Sequence, residues 1–292
     1  VLHIVCCILY SIKSASARGS VKKNTFLQGE QYFFIEYLLF QIYLITVMST
    51  AQQLFTSICR LAGEAAVNYN MTREGDRVLV GLSGGKDSFV LMHVLEHLQK
   101  AAPVNFSFAA ATFDPGFEGF GTEEIASYCR EHNWEHHVVK LDMPQIIREK
   151  SFEKSPCVLC SRLRRGKLYG LASELNCNIL ALGQHLDDIV ISFLMSVCRG
   201  QGISTMAPVV IPKQEHYPKI IRPLALVPEK LIADYAATLE LPAAGVCAYK
   251  EQLLAGDRAN FKALLAQLEE RIPDIRSNIA RSLKRVETEH LL

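Results

Sequence analysis

Two short stretches of this chain hold residue types that do chemistry at spacings that permit it. The first is Ser83-Gly84-Gly85-Lys86-Asp87-Ser88, directly after the apolar run Arg77 to Leu82. Gly84 and Gly85 let backbone N–H groups approach an anion without interference from a Cβ. The stretch Phe89 to Lys100 that follows is helix-compatible, and a helix start adds unpaired donors and a favourable dipole. The loop is therefore built for phosphate. It is not a Walker loop, which needs four residues between Gly and Gly-Lys-Ser/Thr. The second stretch is Cys157-Val158-Leu159-Cys160, followed by Ser161-Arg162-Leu163-Arg164-Arg165-Gly166-Lys167. A lone Cys-x-x-Cys is a zinc half-site, a redox pair, an iron–sulfur ligand pair or two packed cysteines beside a solvated basic helix. Zinc normally takes a second pair of similar spacing, and none follows here. Arg162, Arg164, Arg165 and Lys167 favour thiolate and suit contact with phosphate.

The elements that must position these residues alternate between strand and helix. An amphipathic helix over Ala51–Asn70 carries Leu54, Ile58, Leu61, Ala65 and Val67 at helical spacing. Strands are expected at Arg77–Leu82, Phe106–Phe113, Glu135–Leu141 and Asn178–Leu182. Helices are expected at Lys86–Lys100, Glu123–His132, 159–176 and Asp187–Cys198. Pro208–Pro218 reads as loop, Lys219–Ala225 as a strand running into a turn, and Glu229–Leu239, Leu253–Glu270 and Ile275–Glu289 as helices. Such alternation implies right-handed crossovers and an α/β fold with a parallel, doubly wound sheet and helical N- and C-terminal additions. Ligands in these sheets lie beyond the carboxyl ends of the strands. Ser83, Asp114 and Gly183 occupy such ends. Asp114 is either a nucleotide contact or the turn residue before Pro115-Gly116. Asp187 and Asp188 either bind Mg²⁺ or cap a helix. Asp87, inside the phosphate loop, is the stronger Mg²⁺ candidate.

Ser83–Ser88 in this setting resembles the PP-loop of the ATP pyrophosphatases, which cleave ATP between the α and β phosphates. The fold implied is that of the adenine nucleotide alpha hydrolases. Three strings together resemble the tRNA 2-thiocytidine synthetase (TtcA) family. They are Ser83–Ser88, Pro156-Cys157-x-x-Cys160-Ser161-Arg162-Leu163-Arg164-Arg165-Gly166 and Gly183-Gln184-His185-Leu186-Asp187-Asp188. Ile221-Arg222-Pro223-Leu224 and Glu229-Lys230 match the family's order, and the likeness runs from about Leu54 to about Ala266. The resemblance implies replacement of the C2 oxygen of an anticodon-loop cytidine by sulfur, using ATP, Mg²⁺ and a [4Fe–4S] cluster. It implies Cys157, Cys160 and Cys247 as cluster ligands, leaving one iron open for sulfide. Ser83 to Ser88, Asp114, Gly183 and Asp188 would bind the nucleotide, with Lys86 neutralising the leaving pyrophosphate. Arg162, Arg164, Arg165 and Lys167 would meet RNA. Partners implied are tRNA and a cysteine desulfurase or other sulfur donor, with a homodimer left open and no membrane. The sequence departs from the family at Gln184, where a histidine is usual. It also departs around Cys247, which stands alone where the family has a second Cys-x-x-Cys. The rivals are a PP-loop thiouridylase working through a persulfide and disulfide, and a non-catalytic ATP or iron–sulfur binding protein.

The chain has 292 residues, 49% of them hydrophobic, and a net charge of +1, so any RNA binding must come from a local patch. Residues 1–47 differ in composition from the rest. The first methionine is Met48, and Val1–Ile12 lacks the preceding cations of a signal peptide despite Ala15-Ser16-Ala17. Tyr32–Val47 is short for a bilayer span and contains Glu36. We read this leader as upstream sequence translated in error, with a truncated targeting segment or anchor as the alternative. The expected division is 1–47 leader, 48–240 ATP-binding α/β domain with the Cys-x-x-Cys insert, and 241–292 helical extension. The expected location is cytoplasmic, with an organelle as the alternative if the leader is real. Seven cysteines outside the leader, irregularly spaced, do not form a disulfide framework. Cys59, Cys129, Cys177 and Cys198 sit among apolar residues and are expected to be buried.

Overall fold

The computed structural model describes residues 50–118, 120–149, 156–214, 216–242, 249, 256–287 and 289. The leader 1–47 and Cys247 lie outside them. A first helix, α1, spans residues 50–68. It is followed by β1 (Arg77–Gly81), α2 (Lys86–Ala101), β2 (Ser107–Asp114), α3 (Glu123–Glu131), β3 (His136–Lys140) and α4 (Met143–Glu149). Then come α5 (Pro156–Glu174), β4 (Ile179–Ala181), α6 (Leu186–Cys198), β5 (Val209–Val210) and β6 (Lys219–Ile221). A 3₁₀ turn, Pro223–Leu226, leads to α7 (Glu229–Ala236), α8 (Asp257–Arg271) and α9 (Ile275–Ser282).

The six strands lie in the order β3-β2-β1-β4-β6-β5, parallel except for the β5–β6 pair. From β1 the chain first winds outward through β2 and β3, then returns to add β4 and β6 on the other side. The reversal of direction falls between β1 and β4, where a crevice opens at the carboxyl ends of the strands. Both faces of the sheet are covered. Val78, Val80, Ala110, Ile179 and Ala181 pack with Ile58 of α1 and with Phe89, Val90 and Val94 of α2. The alternate residues Leu79, Ala109, Ala111 and Leu180 pack with Leu168 and Ala172 of α5. Burial on both faces explains why β1 reads as a continuous apolar run rather than an alternating one. A third cluster joins Leu186, Val190 and Ile191 of α6 to Leu265 of α8, flanked by Phe261, Ile275 and Ile279.

Four details differ from the sequence reading. The helix expected from 159 begins at Pro156, so both cysteines of the pair lie in its first turns. Proline is favoured at the first helical position, where its missing N–H has no intrahelical partner anyway. Within the expected loop 208–218, Val209 and Val210 pair antiparallel with Ile221 and Ile220 as an edge strand. Cys198 is exposed, unlike buried Cys59, Cys129 and Cys177, because the last turn of α6 runs beyond the core. Val67 is 76% exposed and lies off the apolar face of α1. No helix among the described residues is long and apolar enough to cross a membrane.

Candidate functional site

The loop between β1 and α2 is held by its own hydroxyls. Ser88 Oγ donates to the Gly85 carbonyl at 2.8 Å and accepts from the Ser83 N–H and the Ser83 hydroxyl, both at 3.2 Å. Gly84 has φ +79°, which lets the chain turn sharply into the helix. Gly85 is the N-cap of α2 and has no side chain to satisfy the first N–H groups of the helix, which remain available for an anion. Gly183, at the end of β4, lies against the same turn. A Cβ there would sit 3.2 Å from the Asp87 carbonyl carbon and oxygen and from the Ser88 nitrogen. The neighbouring strand thus abuts the phosphate loop at the reversal point of the sheet.

Helix α5 crosses above this crevice. Cys157, Cys160, Ser161, Arg164, Arg165 and Leu168 follow helical spacing and share one face. That face lines a cavity of about 650 Å³ together with Ser83, Asp87, Ser88, Gly183 and Gln184. Phe113, Phe117, Tyr169 and Leu182 are among its apolar walls. The phosphate loop and the cysteine pair therefore open into one space. Arg162 and Lys167 are exposed and are not among the residues that line it.

Charged groups ring the start of α6. Lys86 Nζ lies 2.9 Å from Asp87 Oδ1 and 3.3 Å from Glu229 Oε1. Burial disfavours its charge, but Asp87 and Glu229 outweigh that, so its pKa is raised. Burial likewise works against the Glu229 charge, but Lys262, Lys86 and His185 hold its carboxyl below the usual range. Asp187, buried, accepts the Glu229 N–H at 2.7 Å and pairs with Arg276 of α9. Asp188 accepts the His185 N–H at 3.2 Å and pairs with Arg258 of α8. His185 is 5% exposed, and its Nδ1 has no hydrogen bond among the described residues. Behind this ring Arg222, 9% exposed, donates from Nε to Gln184 Oε1 at 2.9 Å and from a terminal nitrogen to the Ala207 carbonyl.

Set against the sequence reading, Ser83, Asp87, Ser88, Gly183, Cys157, Cys160, Arg164 and Arg165 come together on the cavity. Lys86 does not line it; its ammonium is turned to Asp87 and Glu229. Asp114 accepts the Gly116 N–H at 2.9 Å, as a turn residue does, and does not line the cavity either. Asp188 serves the start of α6 in the manner of a capping box. Sequence reasoning noted Arg222 only within a family-like string and missed Arg258, Lys262 and Arg276. Their partners lie 38, 70, 33 and 89 residues away in the chain, beyond any local pattern.

Backbone donors at a glycine turn, beside the crevice where a parallel sheet reverses, define a nucleotide-binding α/β protein. Residues 54–242 match the PP-loop domain family. The tRNA-cytidine(32) 2-sulfurtransferase of Syntrophotalea carbinolica is 38% identical over 241 residues, covering 82% of this chain and 93% of that protein. The protein of the same description from Geobacter sulfurreducens is 39% identical, with the same coverage. Among solved structures, the U34-tRNA thiolase NcsA from Methanococcus maripaludis with its [4Fe-4S] cluster superposes with a TM-score of 0.64 at 25% identity. That match covers 83% of this chain and 81% of NcsA. The chain belongs to the PP-loop family and, within it, to the tRNA-cytidine(32) 2-sulfurtransferases.

Proposed function

We propose that this protein is an ATP-dependent tRNA sulfurtransferase that replaces the C2 oxygen of an anticodon-loop cytidine with sulfur. The observation that carries the reading is the shared cavity, lined by Ser83, Asp87 and Ser88 of the glycine loop and by Cys157 and Cys160. The identity to curated cytidine sulfurtransferases supports the substrate. The ATP phosphates lie against the N–H groups at the start of α2. The cytidine oxygen attacks the α-phosphorus and pyrophosphate leaves. Sulfide-level sulfur, as hydrosulfide, then bonds to C2, the C2–O bond breaks, and AMP departs with the oxygen. Arg164 and Arg165 supply positive charge beside the anions without blocking the loop.

The residues present fit both metal groups. Asp87 offers a hard carboxylate oxygen in the phosphate loop, suited to Mg²⁺. Cys157 and Cys160 offer two thiols one helical turn apart, suited to iron, with Cys247 as the third ligand. Among the described residues alone there is no group of three or more His, Cys, Asp or Glu able to hold a metal ion. A [4Fe–4S] cluster held by three thiolates would keep one iron available to carry the sulfur. The cluster of NcsA favours this over a persulfide relay. Partners are tRNA and a sulfur donor such as a cysteine desulfurase. The test is nucleoside mass spectrometry of tRNA from cells with and without the gene. Loss of 2-thiocytidine that wild-type protein restores, and Asp87→Ala does not, is the expected result. Loss of a thiouridine instead would transfer the assignment to that nucleoside.

A further inference from the structure

Gln184 stands on the cavity wall immediately after Gly183, the residue that touches the Asp87 and Ser88 backbone. Its side chain is not left to choose its orientation. A guanidinium has donors only, so the amide atom facing Arg222 Nε at 2.9 Å is the oxygen. The amide nitrogen, with two N–H donors, is the remaining polar end, and no partner holds it among the described residues. Arg222 is itself held at two points by the segment Ala207-Pro208. Its N–H donates to the Pro208 carbonyl at 2.9 Å, and its guanidinium donates to the Ala207 carbonyl. Burying a guanidinium is costly. Burial, and then nearby Arg165, lower the Arg222 pKa.

We infer that Gln184 donates a hydrogen bond to an anionic oxygen on the α-phosphate of the nucleotide, and that Arg222 is the positioning residue that fixes this donor. This rests on the ATP-dependent reading above. The α-phosphate is the group chosen for two reasons. Gly183 places Gln184 beside the N-terminus of α2, where the loop's N–H groups collect phosphate. The reacting phosphorus must also be open to the cysteine face of the same cavity. A donor fixed before the reaction gains strength as negative charge grows on that oxygen, with no reorganisation. An unheld glutamine would present either end of its amide to the phosphate, and one end repels it.

The test uses Gln184→Glu and Arg222→Lys in the full chain, with thermal melting to confirm folding. Gln184→Glu keeps a partner for Arg222 but removes both donors. ATP affinity, measured without tRNA, should fall about tenfold. Release of AMP and pyrophosphate at saturating ATP and tRNA should fall roughly 100–1,000-fold, in line with the loss of one preorganised donor. Arg222→Lys loses the planar fork and should slow release about tenfold. In the double variant the two losses should not multiply, since both act through one amide. Wild-type ATP affinity in Gln184→Glu would overturn the inference, as would losses that multiply. An effect seen only with tRNA bound would overturn it too, by giving the amide to the base. If the wild-type protein bound ATP but formed no AMP with tRNA, the functional reading would fail. The ATP-affinity comparison would still decide the role of Gln184.

Discussion

Lys86 of the phosphate loop and Lys262 of α8 share one carboxylate oxygen: their ammonium nitrogens lie 3.3 and 2.7 Å from Glu229 Oε1. The C-terminal helices are thereby tied to the loop, and Arg258 and Arg276 extend the tie to Asp188 and Asp187.

The members of this ring differ in worth. Lys262 is 56% exposed, and its removal as Lys262→Ala should change unfolding free energy by less than about 1 kcal/mol. Asp187 is buried and serves both the Glu229 N–H and Arg276. Asp187→Ala should cost about 1–3 kcal/mol, since it leaves the Glu229 N–H without its acceptor and takes from Arg276 one of two carboxylates, the other being Glu269. Urea unfolding of the two variants separates these values. Equal midpoints would show that the ring is solvated decoration.

The basic cluster on α5 divides at the cavity. Arg164 and Arg165 line the cavity, whereas Arg162 and Lys167 do not. Arg164→Ala with Arg165→Ala should lower thiolation at saturating tRNA. Arg162→Ala with Lys167→Ala should chiefly weaken tRNA binding and reduce its salt slope by about one for each phosphate no longer neutralised. Turnover and binding measured across a salt series check the split. It fails if both pairs change the same parameter.

The cysteines sort by surroundings. Anaerobically purified protein should be brown and carry about four irons per chain, the content of one cubane cluster. Cys157→Ser, Cys160→Ser and Cys247→Ser should each lose the iron, while ATP still binds at the separate loop. Cys198→Ser, at an exposed helix end, should keep iron and stability alike. Burial pushes the Cys59 thiol pKa up to about 12, and Cys59→Ser should keep the iron but lose stability. Iron analysis and visible absorption read the first property, thermal melting the second.

A pH effect is expected far from the site. Burial, and next the charge of His132, push the His93 pKa down to about 4, against a smaller upward pull from Glu96. The folded state therefore binds this proton less readily than the unfolded chain. Its contribution is intact above about pH 6.5 and is lost as pH falls from there toward 4. His93→Gln should flatten the stability profile across that window by up to about 3 kcal/mol. Chemical denaturation at pH 7 and pH 5 provides the comparison. An unchanged slope would assign the acid sensitivity to carboxylates.

The sequence disclosed those parts of the site whose logic is local. The glycine turn after an apolar strand, and the alternation that makes the sheet parallel, are signals within short windows. So is the pair of thiols on one helical turn, although placing both inside α5 required weighing Pro156 as a helix starter. Val209 and Val210 make a strand too short to show periodicity. The Arg222–Gln184 bond joins residues 38 apart and depends on how β6 lies beside β4. Asp114 was ambiguous in sequence because an aspartate before Pro-Gly serves a turn as readily as a ligand. In the structure it accepts the Gly116 N–H, as a turn residue does.

The reversal of the sheet between β1 and β4 has a consequence for synthesis. Arg77 N–H binds Asn178 Oδ1 across 101 residues of chain, and the phosphate loop meets Gly183 only when β4 docks beside β1. Such distant pairings form late, since the loop between them must close first. A growing chain on the ribosome thus displays the glycine turn long before it has the wall, the buried arginine or the thiols.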